Sequence, residues 1–182
     1  MEPHGLFRYE EIGDPLDDHL NATVAEHCTG SIATGENLLS LQDARNLIRY
    51  GGLRSDRDTV KVDPALSHSL VEYLRIQDLL RQHGRSSRRC IPHGGHQFSL
   101  HIASALKLGD NECCPAEFQP TRGFTDVAVA VVVEKSRVGL TDTPGIGFES
   151  KAAFHKVVHA LHSRLPPHRR TRPPPGARSG HG

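Results

Sequence analysis

The chain has 182 residues, of which 36% are hydrophobic and 24% charged, and it contains no tryptophan. Its formal net charge of +1 is unevenly distributed: residues 164–182 hold five arginines and no acid, whereas the rest carries 17 basic against 21 acidic side chains, a net of −4. No apolar run approaches the ~20 residues of a membrane span, and the first residues lack the basic and apolar regions of a signal peptide. A rather polar protein of the cytoplasm is therefore expected.

Cysteine usage supports the same compartment. The four cysteines, Cys28, Cys90, Cys113 and Cys114, form no CxxC pair, and two of them are adjacent in the sequence. This spacing suits neither a disulfide framework nor a zinc ribbon, so a reducing environment is expected.

Four strand-turn-helix units are predicted to follow one another along the chain. The strands are predicted at 6–9, 31–35, 59–62 and 89–92, and the helices at 17–27, 40–50, 65–83 and 97–106. Apolar residues recur at helical spacing within the helices, and glycines directly follow the second helix. A further, last strand would cover 111–114. Strands that alternate with helices in this way favour an α/β fold with a parallel sheet wound right-handedly.

The helix at 65–83 is the longest of the four. Leu66, Leu70, Leu74 and Leu79 lie broadly on one of its faces and are predicted to be buried, and a glycine ends it. Asp63 lies two residues before this helix, where an aspartate can act as its N-cap.

Residues that could bind a metal or carry a proton recur at about the pitch of one strand plus one helix. They are Glu10, Glu36, Asp63, His93 and Glu112, at separations of 26, 27, 30 and 19. In a β/α barrel, residues at the carboxyl ends of successive strands converge on one mouth, where the active site lies. A complete eight-stranded barrel needs about 250 residues, so any barrel formed by this chain is expected to be incomplete.

The last third of the sequence has a different character. Periodicity is weak from 115 to 150, which predicts an irregular return segment with one strand or hairpin arm, and a last helix is predicted from about 150 to 161. Five of the twelve prolines lie between 166 and 175. Together with the five arginines, they predict a disordered tail over 164–182.

Several motifs, taken in order, closely resemble the enolase superfamily. They are Phe7-Arg8-Tyr9-Glu10-Glu11 before Gly13-Asp14-Pro15, Ala33-Thr34-Gly35-Glu36-Asn37, the run from Gln42 to Gly52, Ile91-Pro92-His93-Gly94-Gly95-His96-Gln97, and Pro144-Gly145-Ile146-Gly147-Phe148-Glu149. Within the superfamily, the match is nearest to the mandelate racemase group and its D-tartrate-type dehydratases. The resemblance covers roughly residues 6–161.

The resemblance implies a fold and a division of the chain. Family members combine an N-terminal α+β capping domain with a (β/α)7β TIM-type barrel, of which this chain would supply about the last five strands. Residues 1–114 would form a partial enolase-like β/α barrel, 115–163 the C-terminal return segment and last helix, and 164–182 the disordered basic tail.

The resemblance also implies a reaction and residue roles. Family enzymes use Mg²⁺ to dehydrate a hydroxy diacid or acid sugar through an enediolate intermediate. By position, Glu10 and Glu36 resemble the second and third metal ligands, His93 resembles the catalytic histidine, and Asp63 resembles the aspartate that orients it. Glu112 would hydrogen-bond the substrate. Hard oxygen ligands of this kind suit Mg²⁺.

The sequence also departs from the family pattern. The first metal-binding aspartate, the catalytic Lys-x-Lys motif and the capping domain would all fall before Met1, and the basic tail is unlike the family ending. A truncated and impaired dehydratase is therefore expected, with a small hydroxy acid as its partner and no membrane or nucleic acid. The alternative is a non-catalytic barrel fragment that acts only by association, as a homo-oligomer or with another chain, through open barrel edges at residues 6–9 and 111–114.

Less specific interpretations of individual residues stay open at this point. Glu10 and Glu36 could be solvated residues at strand ends, and His93 could be a loop histidine. Cys90, His93 and His96 together could form a zinc site, although no fourth ligand is evident. His96 is predicted to be the N-terminal residue of a helix.

Overall fold

The computed structural model describes residues 4–112, 133–134, 137–138, 140, 145–146, 156, 159–161 and 163. One sheet contains four parallel strands in chain order, which are β1 (Tyr9–Glu10), β2 (Ile32–Thr34), β3 (Thr59–Val62) and β4 (Cys90–Pro92). Four helices alternate with these strands, α1 (Asp18–His27), α2 (Leu41–Tyr50), α3 (Leu70–Gln82) and α4 (Gln97–Leu106). The predicted parallel α/β arrangement is confirmed.

The register of the sheet brings the ends of its strands to one edge. Glu10 pairs with Ala33 and Lys61 pairs with Ile91 across parallel neighbours. Every residue of β2, β3 and β4 is buried, as is typical of parallel strands covered on both faces. The residues that follow these strands therefore meet at the carboxyl edge of the sheet.

Side chains that accept backbone N–H groups begin the helices. Asp17 accepts from Leu20 in α1, and Ser40 accepts from Asp43 in α2. Each cap satisfies one of the N–H groups that the first helical turn leaves without an intrahelical partner. The sequence predicted α1 and α2 to within one residue for this reason.

The third helix begins later than predicted. It starts at Leu70 and not at residue 65, because His68 adopts the left-handed region at φ +68° and Ser69 caps the helix by accepting the N–H of Glu72. Residues 63–68 instead form a turn in which Oδ1 of Asp63 accepts the N–H groups of Ala65 and Leu66 at 2.6 and 3.2 Å.

The predicted buried face of α3 is also largely wrong. Leu79 is buried as expected, but Leu66, Leu70 and Leu74 are 48%, 41% and 39% exposed. The buried positions are instead Tyr73, Ile76, Leu79 and Leu80. Their spacing of three and four residues is the pattern of an amphipathic helix. Leu66 lies before α3, and Leu70 and Leu74 lie within it on its exposed side.

The main core lies between the sheet and helices α2, α3 and α4. Leu47, Val60, Tyr73, Ile76 and Leu80 are among its fully buried members. A smaller cluster beneath α1 contains Ala25, Cys28 and Ile32. These two clusters hold the strands from which the site is built.

A network of polar contacts ties together the opposite, amino edge of the sheet. The Arg54 guanidinium donates to both carboxylate oxygens of Asp58 and to the carbonyl oxygens of Cys28 and Gly30. Asp58, whose side chain is fully buried, also accepts the N–H of Ile32 at 2.9 Å. Burial alone would raise the pKa of Asp58, but these hydrogen bonds lower it below its ordinary value.

Several predicted features lie partly or wholly outside the described residues. Residues 111–112 are not in a strand, and 113–114, most of 115–150 and the tail 164–182 lie outside the description. Two short strands, β5 (Val133–Glu134) and β6 (Arg137–Val138), pair antiparallel. Backbone at 156, 159–161 and 163 is helical, within or next to the helix predicted at 150–161. In the described part of the chain, every helix is too short or too polar to cross a bilayer.

Candidate active site

The strand ends bring the predicted site residues to one edge of the sheet. Glu10 is the last residue of β1, and Glu36 comes two residues after β2. Asp63 directly follows β3, and His93 directly follows β4. Glu112 comes from the segment after α4, and its Oε2 atom accepts the N–H of Gly94 at 2.7 Å.

Lys61, in β3, lies among three of these carboxylates. Its ammonium forms ion pairs with Oε1 of Glu10 and Oε1 of Glu112, and Nζ lies 3.7 Å from Oε2 of Glu36. The Lys61 side chain is only 1% exposed. Burial alone would lower the pKa of Lys61, but the carboxylates of Glu10 and Glu112 raise it above its ordinary value, so the ammonium stays charged at neutral pH.

His93 faces the same carboxylates. Its Nδ1 atom lies 3.2 Å from Oε2 of Glu36 and 3.0 Å from Oε2 of Glu112. These are ion-pair distances, but neither contact has the alignment of a hydrogen bond, so this buried nitrogen has no hydrogen-bond partner. Burial alone would raise the pKa of Glu112, but Lys61 and the N–H of Gly94 lower it.

Asp63 contacts His96 and not His93. Nε2 of His96 lies 3.2 Å from Oδ1 of Asp63, while the imidazole of His93 turns toward Glu36 and Glu112. The predicted pairing of Asp63 with His93 is therefore replaced in this structure by a pairing with His96. Burial alone would raise the pKa of Asp63, but His96 and two backbone N–H groups lower it.

The prediction that His96 begins a helix is confirmed. Its Nδ1 atom accepts the N–H of Ser99 at 3.0 Å, so His96 is the N-cap of α4. One imidazole thus joins the helix start to the end of β3 through Asp63. The sequence did not predict this second contact.

Gly94 lies directly against the Asp63–His96 pair. Its φ of +96° is in the region that favours glycine. A Cβ atom there would lie 2.8 Å from Oδ2 of Asp63 and 2.9 Å from Cδ2 of His96. The space at this position therefore admits no side chain without movement of the pair.

Two further groups at this edge were missed by sequence reasoning. Lys61 could have been found from the period of two along a strand, because it precedes Asp63 by two residues and shares its face. Glu11 accepts the N–H of Gly35 at 3.0 Å and has a φ of +45°. Its neighbour Glu10 was the more obvious candidate, and no sequence signal distinguishes the role of Glu11.

The arrangement gives the zinc alternative no support. Across the described residues, the group of three possible ligands that comes together is Glu36, His93 and Glu112, whose ligand atoms lie within 4.8 Å of one another. Cys90 and His96 are not members of it. Burial raises the pKa of Cys90 to about 11, which disfavours the thiolate that zinc requires.

The oxygen and nitrogen atoms that converge at this edge are suitable ligands for a hard divalent cation. Carboxylate oxygens of Glu10, Glu36 and Glu112 face one volume, and the buried Nδ1 of His93 lacks a hydrogen-bond partner there. Oxygen ligands from separate strands are those that Mg²⁺ prefers. The ammonium of Lys61 shares the same volume, and any ion would have to compete with it.

Comparison with known proteins identifies the family. A sequence profile of the family described as Enolase C-terminal domain-like matches residues 1–153. The chain is 32% identical over 108 residues to L-talarate/galactarate dehydratase of Salmonella typhimurium strain LT2, an alignment that covers 59% of this chain and 25% of that protein. The chain thus spans about a quarter of the length of this relative.

Comparison with solved structures points to the same family. The L-talarate dehydratase of Polaromonas sp. JS666, complexed with Mg and L-glucarate, matches with a TM-score of 0.63 and 25% identity, over 80% of this chain and 37% of that one. The L-talarate/galactarate dehydratase of Salmonella typhimurium LT2, liganded with Mg and L-lyxarohydroxamate, matches with a TM-score of 0.63 and 25% identity, over 83% and 36%. The resemblance to the enolase superfamily and its mandelate racemase group is confirmed, and the chain belongs to the Enolase C-terminal domain-like family.

Proposed function

We propose that this chain is a Mg²⁺-dependent dehydratase, impaired as an isolated chain, that acts on a hydroxy diacid or acid sugar, with D-tartrate as the first candidate. The observation that carries the proposal is the convergence of Glu10, Glu36, His93 and Glu112 at one edge of the sheet. The relatives named above are acid-sugar dehydratases whose structures hold Mg, which supports the same reaction class.

Glu10 and Glu36 would hold the metal. Both present carboxylate oxygens to the volume that Lys61 now shares, and both come from strand ends that the sheet keeps in register. When bound, Mg²⁺ would stabilise the negative charge that develops on a substrate carboxylate as the α proton is removed.

His93 would transfer protons at the substrate. Its side chain is 29% exposed, so its ring can reach a bound acid, and its Nδ1 atom faces the carboxylates of Glu36 and Glu112 without a hydrogen bond. His93 would take the α proton and pass it to the β-hydroxyl, which departs as water and leaves an enol. With D-tartrate, this enol becomes oxaloacetate.

Asp63 and His96 would position the site. Asp63 is 5% exposed and fixes the Nε2 end of His96, whose other nitrogen caps α4. This pair holds the turn that contains His93 and Gly94 against β3. Glu112, which is 21% exposed at its side chain, would accept a hydrogen bond from a substrate hydroxyl.

Turnover by the purified chain tests the proposal. With Mg²⁺ present, D-tartrate consumption is followed by coupling oxaloacetate to NADH oxidation, and L-talarate and galactarate are followed by formation of a keto acid. Product from at least one acid, lost in His93→Asn, is expected. If a folded wild-type chain forms no product from any of the three acids, the proposal is overturned.

The alternative is a non-catalytic barrel fragment that acts by associating with another chain. The observation that favours it is the ammonium of Lys61, which neutralises part of the carboxylate cluster without a metal. In the described sheet, β1 and β4 are the edge strands, where such association would occur. A defined oligomer by light scattering, together with absence of turnover, would favour this alternative.

A further inference from the structure

A buried cation already lies where the carboxylates converge. The Lys61 side chain is 1% exposed, and its ammonium contacts Glu10 and Glu112 directly, with Glu36 at 3.7 Å. A buried ammonium is stable only when carboxylates or other acceptors surround it. In this chain the carboxylates and the Lys61 ammonium neutralise one another's charge.

Each of the three carboxylates has a contact besides Lys61, which for Oε2 of Glu36 is Nδ1 of His93 at 3.2 Å. Oε2 of Glu10 lies 3.4 Å from Nε of Arg8, so each oxygen of Glu10 faces a cation. Oε2 of Glu112 accepts the N–H of Gly94, while Oε1 faces Lys61. A metal ion that used any of these carboxylates would have to break or share an existing contact.

We propose that Lys61 is the resident cation of this site, and that its ammonium competes with divalent metal ions for Glu10, Glu36 and Glu112. The inference rests on the ion pairs and not on the proposed dehydration, and it would hold in a chain without turnover. On this proposal, the presence of Lys61 determines whether the charge of the carboxylate cluster is balanced by the protein itself or by a metal ion.

The energetics follow from the charges. Displacing a buried ammonium from its carboxylates costs free energy, which adds to the reluctance of Mg²⁺ to release its water ligands. Without Lys61, the three carboxylates would face one another with no ammonium between them, and a divalent ion would relieve their mutual repulsion. Loss of the lysine charge should therefore tighten metal binding.

The wild-type chain provides the first test. Mn²⁺ is titrated into metal-free protein without substrate, and free Mn²⁺ is measured by electron paramagnetic resonance. Because the ammonium must be displaced, we expect a Kd of about 1 mM or weaker. A wild-type Kd of about 10 μM or tighter would overturn the proposal, whatever the behaviour of any variant.

Substitution of Lys61 provides the second test. In Lys61→Gln we expect Mn²⁺ to bind at least about tenfold more tightly, and thermal unfolding to shift upward with Mn²⁺ by more than in wild type. Adding Glu36→Gln to this variant should remove the gain. Lys107→Gln, which removes an exposed lysine, is the matched control and should leave Mn²⁺ affinity unchanged.

The outcomes separate this proposal from the proposed function. A gain in Mn²⁺ affinity in Lys61→Gln without turnover supports the competing lysine and counts against catalysis by this chain. A Lys61→Gln protein that folds only with Mn²⁺ present also supports it. Equal affinity in Lys61→Gln and wild type would contradict it, and if the variant cannot be folded, the wild-type titration decides.

Discussion

The imidazole of His96 joins β3 to α4: its Nε2 atom lies 3.2 Å from Oδ1 of Asp63, and its Nδ1 atom accepts the N–H of Ser99 at 3.0 Å. The side chain of His93, three residues earlier, forms neither of these hydrogen bonds. Its Nδ1 atom faces Glu36 and Glu112 without a hydrogen bond. The two histidines therefore differ in what they contribute to stability.

Replacing each of the two histidines with alanine should reveal this difference in stability. His96→Ala removes a helix cap and the partner of a buried carboxylate, and should lower the free energy of unfolding by about 1–3 kcal/mol. His93→Ala removes no hydrogen bond, and its cost should be smaller, under about 1 kcal/mol. Urea unfolding of the two variants measures both values. A larger loss in His93→Ala would contradict the assigned contacts.

Gly94→Ala should disturb the Asp63–His96 pair. The new Cβ would combine a left-handed backbone with contacts of 2.8 and 2.9 Å to Asp63 and His96. We expect a loss of about 2–4 kcal/mol in the free energy of unfolding.

Gly84→Ala is the matched control for Gly94. Gly84 has a φ of +74°, but no other group lies within 4 Å of the position that an added Cβ atom would take. Its alanine variant reports the backbone cost alone, about 1 kcal/mol. Denaturant unfolding of both variants gives the contact contribution by difference, and equal losses would show that the pair can move away.

Truncation of two leucines tests which face of α3 is buried. Leu80 is 1% exposed and Leu74 is 39% exposed. Leu80→Ala should cost about 2–5 kcal/mol through lost burial and a cavity, whereas Leu74→Ala should cost about 1 kcal/mol or less. Thermal and urea unfolding provide the comparison. A reversed order would restore the face that the sequence predicted.

Acid should weaken the network at the amino edge of the sheet. Hydrogen bonds from Arg54 and from backbone N–H groups hold the pKa of Asp58 below its ordinary value of 3.8, against the effect of burial. A carboxylate of this kind stabilises the folded state fully above the unfolded pKa, and the contribution is lost as pH falls through the lower folded pKa. The free energy of unfolding should therefore fall as pH drops below 3.8.

Asp58→Asn isolates this contribution. The variant should be less stable at pH 7 by about 3 kcal/mol, because Arg54 loses its charged partner. Its free energy of unfolding should also depend less on pH below about pH 4 than that of wild type, since the remaining carboxylates are common to both proteins. Identical pH slopes would show that Asp58 is not the titrating group.

The fold was largely predictable because its signals are local. Alternating strands and helices, and helix starts such as Asp17 and Ser40, are defined by a few neighbouring residues. The start of α3 was not, because the left-handed backbone of His68 has no sequence signal comparable to a glycine. The error in the buried face has another cause, because Leu70 and Leu74 lie within α3 but on its exposed side.

The sequence predicted where in the fold the site lies, but not which of its residues contact one another. Glu10, Glu36, Asp63 and His93 all lie at the expected edge because parallel strands bring their ends together. The partner of Asp63 depends on how a short turn directs two imidazoles, and sequence spacing does not determine this direction. The sequence predicts Lys61 only as part of a strand, although its position two residues before Asp63 indicates its face.

The contacts of Arg54 lie at the edge of the sheet opposite to the candidate site. Its guanidinium ties Asp58 in the segment before β3 to the carbonyl oxygens that precede β2, without using any residue of the carboxylate cluster. Mutations at the carboxyl edge can therefore accumulate while this anchoring is kept. A chain built in this way can change its ligand over evolutionary time, and even lose its chemistry, without losing the arrangement of its strands.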